Sequence, residues 1–255
     1  MAARLQGQVI LNTRPAHQQA ELSALLESEG ASVLSFPVIE ILRLETAAQP
    51  RDLSRYDILL FVSRNAVDGA VELFGTAQLA AIDRLGVIGA ATRAALIDRI
   101  GDPGAKLISS EPYNSEALLA ADALQQVASK RILILRGQEG RNLLGDELAA
   151  RGAHVEYAEV YRRALPSVGA GAFERLVAQT FPTLVILTSN EGMHNLFELV
   201  DTAAARRLRQ TPWLLISERM RESALKLGHN ASIIIASGAS DDGIRQTICE
   251  WANQA

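Results

Sequence analysis

Short apolar runs punctuate the chain at Val9–Leu11, Val33–Phe36, Ile58–Val62, Leu85–Ile88, Ile132–Leu135, Val155–Tyr157, Leu184–Leu187, Trp213–Ile216 and Ile233–Ile235. Where the apolarity is unbroken, as at Ile58–Val62 and Leu184–Leu187, it suits strands buried on both faces. Between most of them lie Ala/Leu/Glu-rich segments with helical spacing, such as Ala20-Glu-Leu-Ser-Ala-Leu-Leu-Glu and Asn142-Leu-Leu-Gly-Asp-Glu-Leu-Ala-Ala. Strand and helix in alternation predict βαβ units, hence an α/β fold with parallel sheets covered by helices. Gly30, Gly101, Gly152 and Gly228 each close a helical stretch, where glycine caps the last turn.

The pattern also repeats. Val9-Ile-Leu-Asn-Thr-Arg14, a helix, Gly30-Ala-Ser-Val33 and Val38 are matched by Ile132-Leu-Ile-Leu-Arg136, a helix, Gly152-Ala-His-Val155 and Val160, each pair offset by 122 (136 − 14, 152 − 30, 155 − 33, 160 − 38). Ile58-Leu-Leu-Phe-Val-Ser63 is answered by Leu184-Val-Ile-Leu-Thr-Ser189 at 126 (189 − 63), and Ile88 by Ile216 at 128 (216 − 88). Collinear matches at a nearly fixed offset, an arginine and a glycine among them, point to internal duplication into two similar lobes. Each half carries an extended, proline-bearing stretch, Phe36-Pro-Val-Ile-Glu-Ile-Leu and Tyr157-Ala-Glu-Val-Tyr-Arg-Arg-Ala-Leu-Pro166, without helix caps. If the chain crosses between lobes at both, the first lobe is 1–38 plus 167–255 and the second is 39–166, and the working site is expected in the cleft that they form.

Composition then narrows the chemistry. At 255 residues and 48% hydrophobic, the chain can build two cores, and a formal net charge of −4 excludes the broad basic field that draws a protein onto nucleic acid or an anionic membrane. The lone Cys249 excludes an internal disulfide, and His17, His154, His194 and His229 have no metal-ligand spacing, so no metal is expected. With neither a signal-peptide stretch nor a membrane span in view, the expected home is cytoplasmic.

In open α/β sheets, ligands sit beyond the carboxyl ends of the strands, where helix starts present unpaired N–H groups. The residues there are Thr13-Arg14-Pro15, Ser63-Arg64-Asn65-Ala66, Gly89-Ala90-Ala91-Thr92, Arg136-Gly137-Gln138-Glu139-Gly140-Arg141, Thr188-Ser189-Asn190 and Ser217-Glu218-Arg219. Taken singly, Ser63, Thr92, Ser189 and Ser217 read as helix N-caps. Together with arginines they describe a site for a ligand with several carboxylates or phosphates. Arg14 and Arg136, at equivalent places in the repeat, are open to either a binding role or that of a solvated surface charge. No GxGxxG, GxxxxGK[ST] or GxSxG pattern is present, so neither a nucleotide cofactor nor a serine nucleophile is indicated. Tyr161, in the second extended stretch, reads as packing between connector strands or as a residue both lobes reach.

Thr13-Arg14-Pro15, Phe36-Pro37-Val38-Ile39-Glu40-Ile41, Phe61-Val62-Ser63-Arg64-Asn65-Ala66-Val67, Val87-Ile88-Gly89-Ala90-Ala91-Thr92, Leu135-Arg136-Gly137 with Gly140-Arg141, Val160-Tyr161-Arg162-Arg163 and Thr188-Ser189-Asn190 follow one another in an order and spacing that resembles the uroporphyrinogen-III synthase family. The resemblance spans nearly the whole chain. It implies two flavodoxin-like lobes joined by a two-stranded connector, and an enzyme that cyclises hydroxymethylbilane with inversion of ring D through a spiro-pyrrolenine and loss of water, a cofactor-independent lyase of haem and other tetrapyrrole biosynthesis. The substrate carries eight carboxylates, for which the implied binding residues are Arg14, Ser63, Asn65, Thr92, Arg136, Gly137, Arg141, Ser189, Asn190 and Ser217. The implied proton donor is Tyr161; phenols, with an ordinary pKa of about 10, are protonated at neutral pH and can donate. Where the family often has a Gly-Pro-Thr-Thr-like turn, this chain has Ser217-Glu218-Arg219-Met220, so Ser217 or Arg219 is expected to take that contact. The resemblance implies a monomer that receives its substrate from the preceding pathway enzyme, with no nucleic-acid or membrane partner.

The alternative is a non-catalytic, two-lobed binding protein for a small polyanion. A periplasmic receptor of that kind needs an export signal, and a signalling pair needs an acidic cluster after its first strand, where Asn12-Thr13-Arg14 has none.

Overall fold

The computed structural model describes residues 4–44, 50, 52–111, 114–138 and 140–254. Its strands are β1 (Val9–Asn12), β2 (Ser32–Ser35), β3 (Glu40–Arg43), β4 (Ile58–Phe61), β5 (Arg84–Val87), β6 (Leu107–Ile108), β7 (Arg131–Gly137), β8 (His154–Ala164), β9 (Leu184–Leu187), β10 (Trp213–Leu215) and β11 (Ile233–Ile235). Every apolar run forms a strand. β3 falls inside the first extended stretch, and β6, at two residues, is too short to leave a periodic signal.

The chain divides into two compact units, one drawn from both ends, up to Glu40 and from Ala164 onward, and the other Ile41–Arg163. The first holds a five-stranded sheet ordered β11-β10-β9-β1-β2, parallel throughout. The second holds a six-stranded sheet ordered β3-β8-β7-β4-β5-β6, parallel from β8 to β6. Without its edge strand β3, the second sheet reads β8-β7-β4-β5-β6 against β2-β1-β9-β10-β11 in the first. This is the same strand-for-strand matching that the offsets of 122, 126 and 128 make in sequence, so the repeat is a repeat of the sheet. The fold is mixed α/β with parallel sheets.

Parallel strands need helices on both faces, and the second unit shows why β4 and the middle of β7 are apolar. Leu59, Phe61, Leu133 and Leu135 point into one core with Ala66, Val67 and Ala70 of the helix Arg64–Phe74. Their neighbours Ile58, Leu60, Ile132 and Ile134 point into the opposite core with Leu144 and Leu148. In the first unit Ile10, Leu184, Ile186 and Leu214 pack against Leu22 and Leu26 of the helix Ala20–Ser28 and against Ile244 and Ile248 of the helix Asp241–Ala252. Among the described residues no helix is long and apolar enough to cross a membrane.

Candidate functional site

In the second unit, the carboxyl ends of β4, β5 and β7 carry the predicted polar residues. Ser63 follows β4 with extended backbone, and its Oγ accepts the N–H of Ala66 at 3.1 Å, a side-chain cap on the helix Arg64–Phe74. The same Oγ lies 3.0 Å from the hydroxyl of Tyr161. Asn65 is buried, and Nη1 of Arg43 donates to its carbonyl at 3.3 Å.

Tyr161 reaches Ser63 because β8 is irregular. The β7–β8 register runs Ile134↔Tyr157, Leu135↔Ala158 and Arg136↔Glu159, then slips so that Gly137 faces Tyr161, leaving one extra residue in β8. Val155 and Tyr157 pack with the core on one face of the sheet, and Ala158 and Val160 with the core on the other. Strict alternation would return Tyr161 to the face of Tyr157. The bulge instead keeps Tyr161 on the face of Val160, where the helix begun by Ser63 lies, and bulges near functional sites commonly re-aim a side chain in this way. The ring of Tyr161 lies against the bare Cα of Gly137: a Cβ there would come 2.6 Å from Cζ, 2.8 Å from Cε2 and 3.0 Å from the hydroxyl oxygen. Tyr161 itself is 4% exposed.

Arg136, one residue earlier, is bound internally. Nη1 donates to the carbonyl of Gly140 at 3.1 Å and to Oδ1 of Asn142 at 2.8 Å, Nη2 pairs with Glu159 at 3.1 Å, and the guanidinium lies 4.0 Å over the ring of Tyr157. Its Nε–H is buried without a hydrogen-bond partner. Burial pushes the phenol of Tyr157 up, against the opposing charge of Arg136. Arg141 is exposed and holds no ion pair among the described residues. Glu139 lies outside the described residues.

Thr92 is buried, and the structure corrects its reading as a helix cap. Gly89, at φ 101°, occupies the cap position of the helix Ala90–Ile100, and the Thr92 hydroxyl donates back to the carbonyl of Ile88 at 2.7 Å. A hydroxyl has one proton to give, so toward an anion Thr92 offers its backbone N–H, one of the unpaired donors of the first turn.

The first unit shows the matching places. Arg14, two residues beyond β1, forms an ion pair with Asp241 at 2.5 Å, the side chains 11% and 14% exposed. Gln19 Nε2 donates to the carbonyls of Asn12 at 3.2 Å and Arg14 at 2.6 Å, holding the turn. Ser189 caps the helix Asn190–Leu199 through the N–H of Gly192 at 2.9 Å, and Oδ1 of Asn190 is buried without a partner. Ser217 stands at the cap position of the helix Glu218–Lys226, but its side chain makes no cap bond, correcting that expectation as well.

Electrostatically the two sets of helix starts differ. Behind β4 and β5 no acidic residue lies in the first helical turn, and Arg64 and Arg93 are exposed there. At the equivalent starts behind β9 and β10 in the first unit, those turns carry Glu191 and Glu218. Glu218 is held below the usual carboxylate range by its bond to Arg221, so its charge partly satisfies its own helix start. Arg64 and Arg93 fall outside the candidates drawn from sequence, and their positions next to Ser63 and Thr92 were the available signal. A crevice of about 540 Å³ lined by Asp57, Asp83, Arg84, Lys106 and Lys130 lies at the amino ends of β4 to β7, the opposite end of the sheet from Ser63 and Thr92.

Residues 20–244 match the family model for uroporphyrinogen-III synthase HemD. The chain is 34% identical to the uroporphyrinogen-III synthase of Escherichia coli K12 over 252 residues, covering 94% of this chain and 99% of that protein, and equally similar, over the same lengths, to that of Salmonella typhimurium. Among solved structures, the uroporphyrinogen-III synthetase of Helicobacter pylori superposes with a TM-score of 0.65 at 16% identity, covering 96% of this chain and 99% of that one. A mutant synthase from Thermus thermophilus gives 0.55 at 18%, covering 97% and 99%. At such identities the structural likeness speaks for the fold alone.

Proposed function

The chain belongs to the uroporphyrinogen-III synthase family, and on that premise we propose that it closes linear hydroxymethylbilane into uroporphyrinogen III, inverting ring D and releasing water, as a cofactor-independent lyase. The observation that carries this is the 34% identity sustained over 94% of the chain and 99% of the Escherichia coli synthase. The five strands of the first unit, renumbered within it, stand in the order 2-1-3-4-5. This supports reading both units as flavodoxin-like, with ligand chemistry at the carboxyl ends of the strands and with β3 and β8 as the two-stranded connector.

The candidates for the substrate's carboxylates are helix starts and arginines within each unit. In the second unit these are Asn65, the N–H of Thr92 and the exposed Arg141, while Ser63 and Gly137 stand against Tyr161; in the first they are Ser189, Asn190 and Ser217. Arg14 and Arg136 each already hold an internal carboxylate, so they present their remaining N–H groups from fixed positions. The phenol of Tyr161 donates the proton with which the substrate hydroxyl departs as water. Because the bilane closes readily to the uninverted isomer, most of the work is positional: ring D must be held for attack at its substituted carbon.

The test is to incubate the protein with enzymatically generated hydroxymethylbilane, oxidise the products and separate the porphyrin isomers. The expected product is the type III isomer in excess over a no-enzyme control. Type I alone, as in that control, removes the assignment.

A further inference from the structure

We propose that Gly137 and Ser63 are positioning residues for Tyr161: the missing side chain at 137 admits the phenol ring, and Ser63 Oγ fixes where its hydroxyl points. The proposal rests on the reading of Tyr161 as proton donor and adds the device that aims it.

Three constraints converge on the ring. The β8 bulge sets its face of the sheet, because Gly137 pairs with Tyr161 one residue out of step with Arg136 and Glu159. Gly137 gives it room, since any Cβ would sit 2.6–3.0 Å from Cζ, Cε2 and the hydroxyl oxygen, well inside the separation at which non-bonded atoms attract. Ser63 gives it a bearing, because its Oγ accepts the Ala66 N–H at 3.1 Å and is thereby fixed in space while it meets the phenol at 3.0 Å. The ring has nowhere to retreat. It is 4% exposed and shares its core with Val160, whose side chain is itself pressed against the helix Arg64–Phe74: a Cβ on Gly69 would come 2.8 Å from Val160 Cγ2. A methyl group at 137 therefore turns the phenol off Ser63.

The test is a kinetic cycle on the intact protein with hydroxymethylbilane, reading kcat, KM and the isomer ratio. Tyr161→Phe is expected to lower kcat by about a hundredfold, and Gly137→Ala by about the same factor, since a misplacement of about 1 Å costs that much, with KM little changed in both. In the Tyr161→Phe background, Gly137→Ala and Ser63→Ala should each change kcat less than about twofold, because the hydroxyl they misplace is already gone. Ser63→Thr, which keeps an oxygen at the cap, should restore most of what Ser63→Ala loses. Equal losses from Gly137→Ala with and without the Tyr161 hydroxyl, or an effect confined to KM, overturn the positioning role and leave Gly137 as a substrate contact. If Gly137→Ala does not fold, the Ser63 pair in both backgrounds decides by the same criterion. A Tyr161→Phe variant with undiminished kcat removes the proton-donor reading and the positioning role together.

Discussion

His229 shows how one buried side chain ties stability to pH. It is buried, stacked on Trp213 with ring centroids 4.1 Å apart; Nε2 lies 3.4 Å from the carbonyl of Ser232, and Nδ1 has no partner. Protonation would place a charge in the core, so burial pushes the imidazole below its ordinary value near 6.5, against the opposing backbone groups of Ser232 and Ala231. The unfolded chain then binds the proton first. Stability from His229 is complete above about pH 6.5 and is lost as pH falls from there toward the depressed folded value. Thermal unfolding followed from pH 7.5 to pH 5 should show a decline in Tm that His229→Phe, which keeps a ring against Trp213 and cannot be protonated, makes shallower; parallel profiles would show that His229 does not titrate in this window. At this scale the sequence was legible where a residue's role is local. Ser63 and Ser189 cap the next few N–H groups of their own helices, as their positions before helical stretches indicated. The partner of Arg14 is Asp241, 227 residues away, and local pattern does not select among distant carboxylates. Thr92 does not cap, because a glycine with positive φ takes that place before it, and Ser217 stands at the cap position of its helix without a side-chain cap bond, in a helix start that already carries Glu218.

Among elements, strands were the most legible because the central ones, such as Ile58–Phe61 and Leu184–Leu187, are buried on both faces and apolar without interruption, and all nine runs formed. The bulge in β8 was not, since an extra residue changes which way Tyr161 faces without changing the composition of the strand. The choice between packing and chemistry for Tyr161 therefore stayed open in sequence; in the structure it is a core residue whose hydroxyl meets Ser63. The helix Arg64–Phe74 lies close over β8 because residue 69 has no side chain, its nearest neighbours being Val160 Cγ2 and the backbone oxygen of Val160. Backbone cannot step aside as a flexible side-chain tip can. Gly69→Ala should therefore lower stability by about 2 kcal/mol through overpacking, in spite of alanine's better helix propensity. Denaturant titration measures this, and a stabilised variant would mean that the helix shifts freely.

At the scale of the molecule, the duplication was the clearest message in the sequence, and it survives as two sheets with one strand order. What sequence did not convey is how differently equivalent places are furnished: Arg14 takes its acid from a helix start and Arg136 from a neighbouring strand. The two units also differ in continuity. Ile41–Arg163 is unbroken and has cores on both faces of its sheet, so a fragment of residues 41–163 should fold alone and give a cooperative urea transition by circular dichroism. A gradual, non-cooperative signal would show that the unit depends on the rest of the chain.

The first unit meets a different difficulty during synthesis. β1 lies between β2 and β9, and residues that reach the ribosome's exit early, Val9–Ser35, wait for a neighbour beginning at Leu184. At ribosomal speeds of about 5–20 residues per second, that is an interval of roughly ten to thirty seconds. Through it Ile10 and Leu11, fully buried in the finished protein, have lost no water on the β9 side. The nascent chain thus carries an unclosed parallel edge on β1 until β9 has been made.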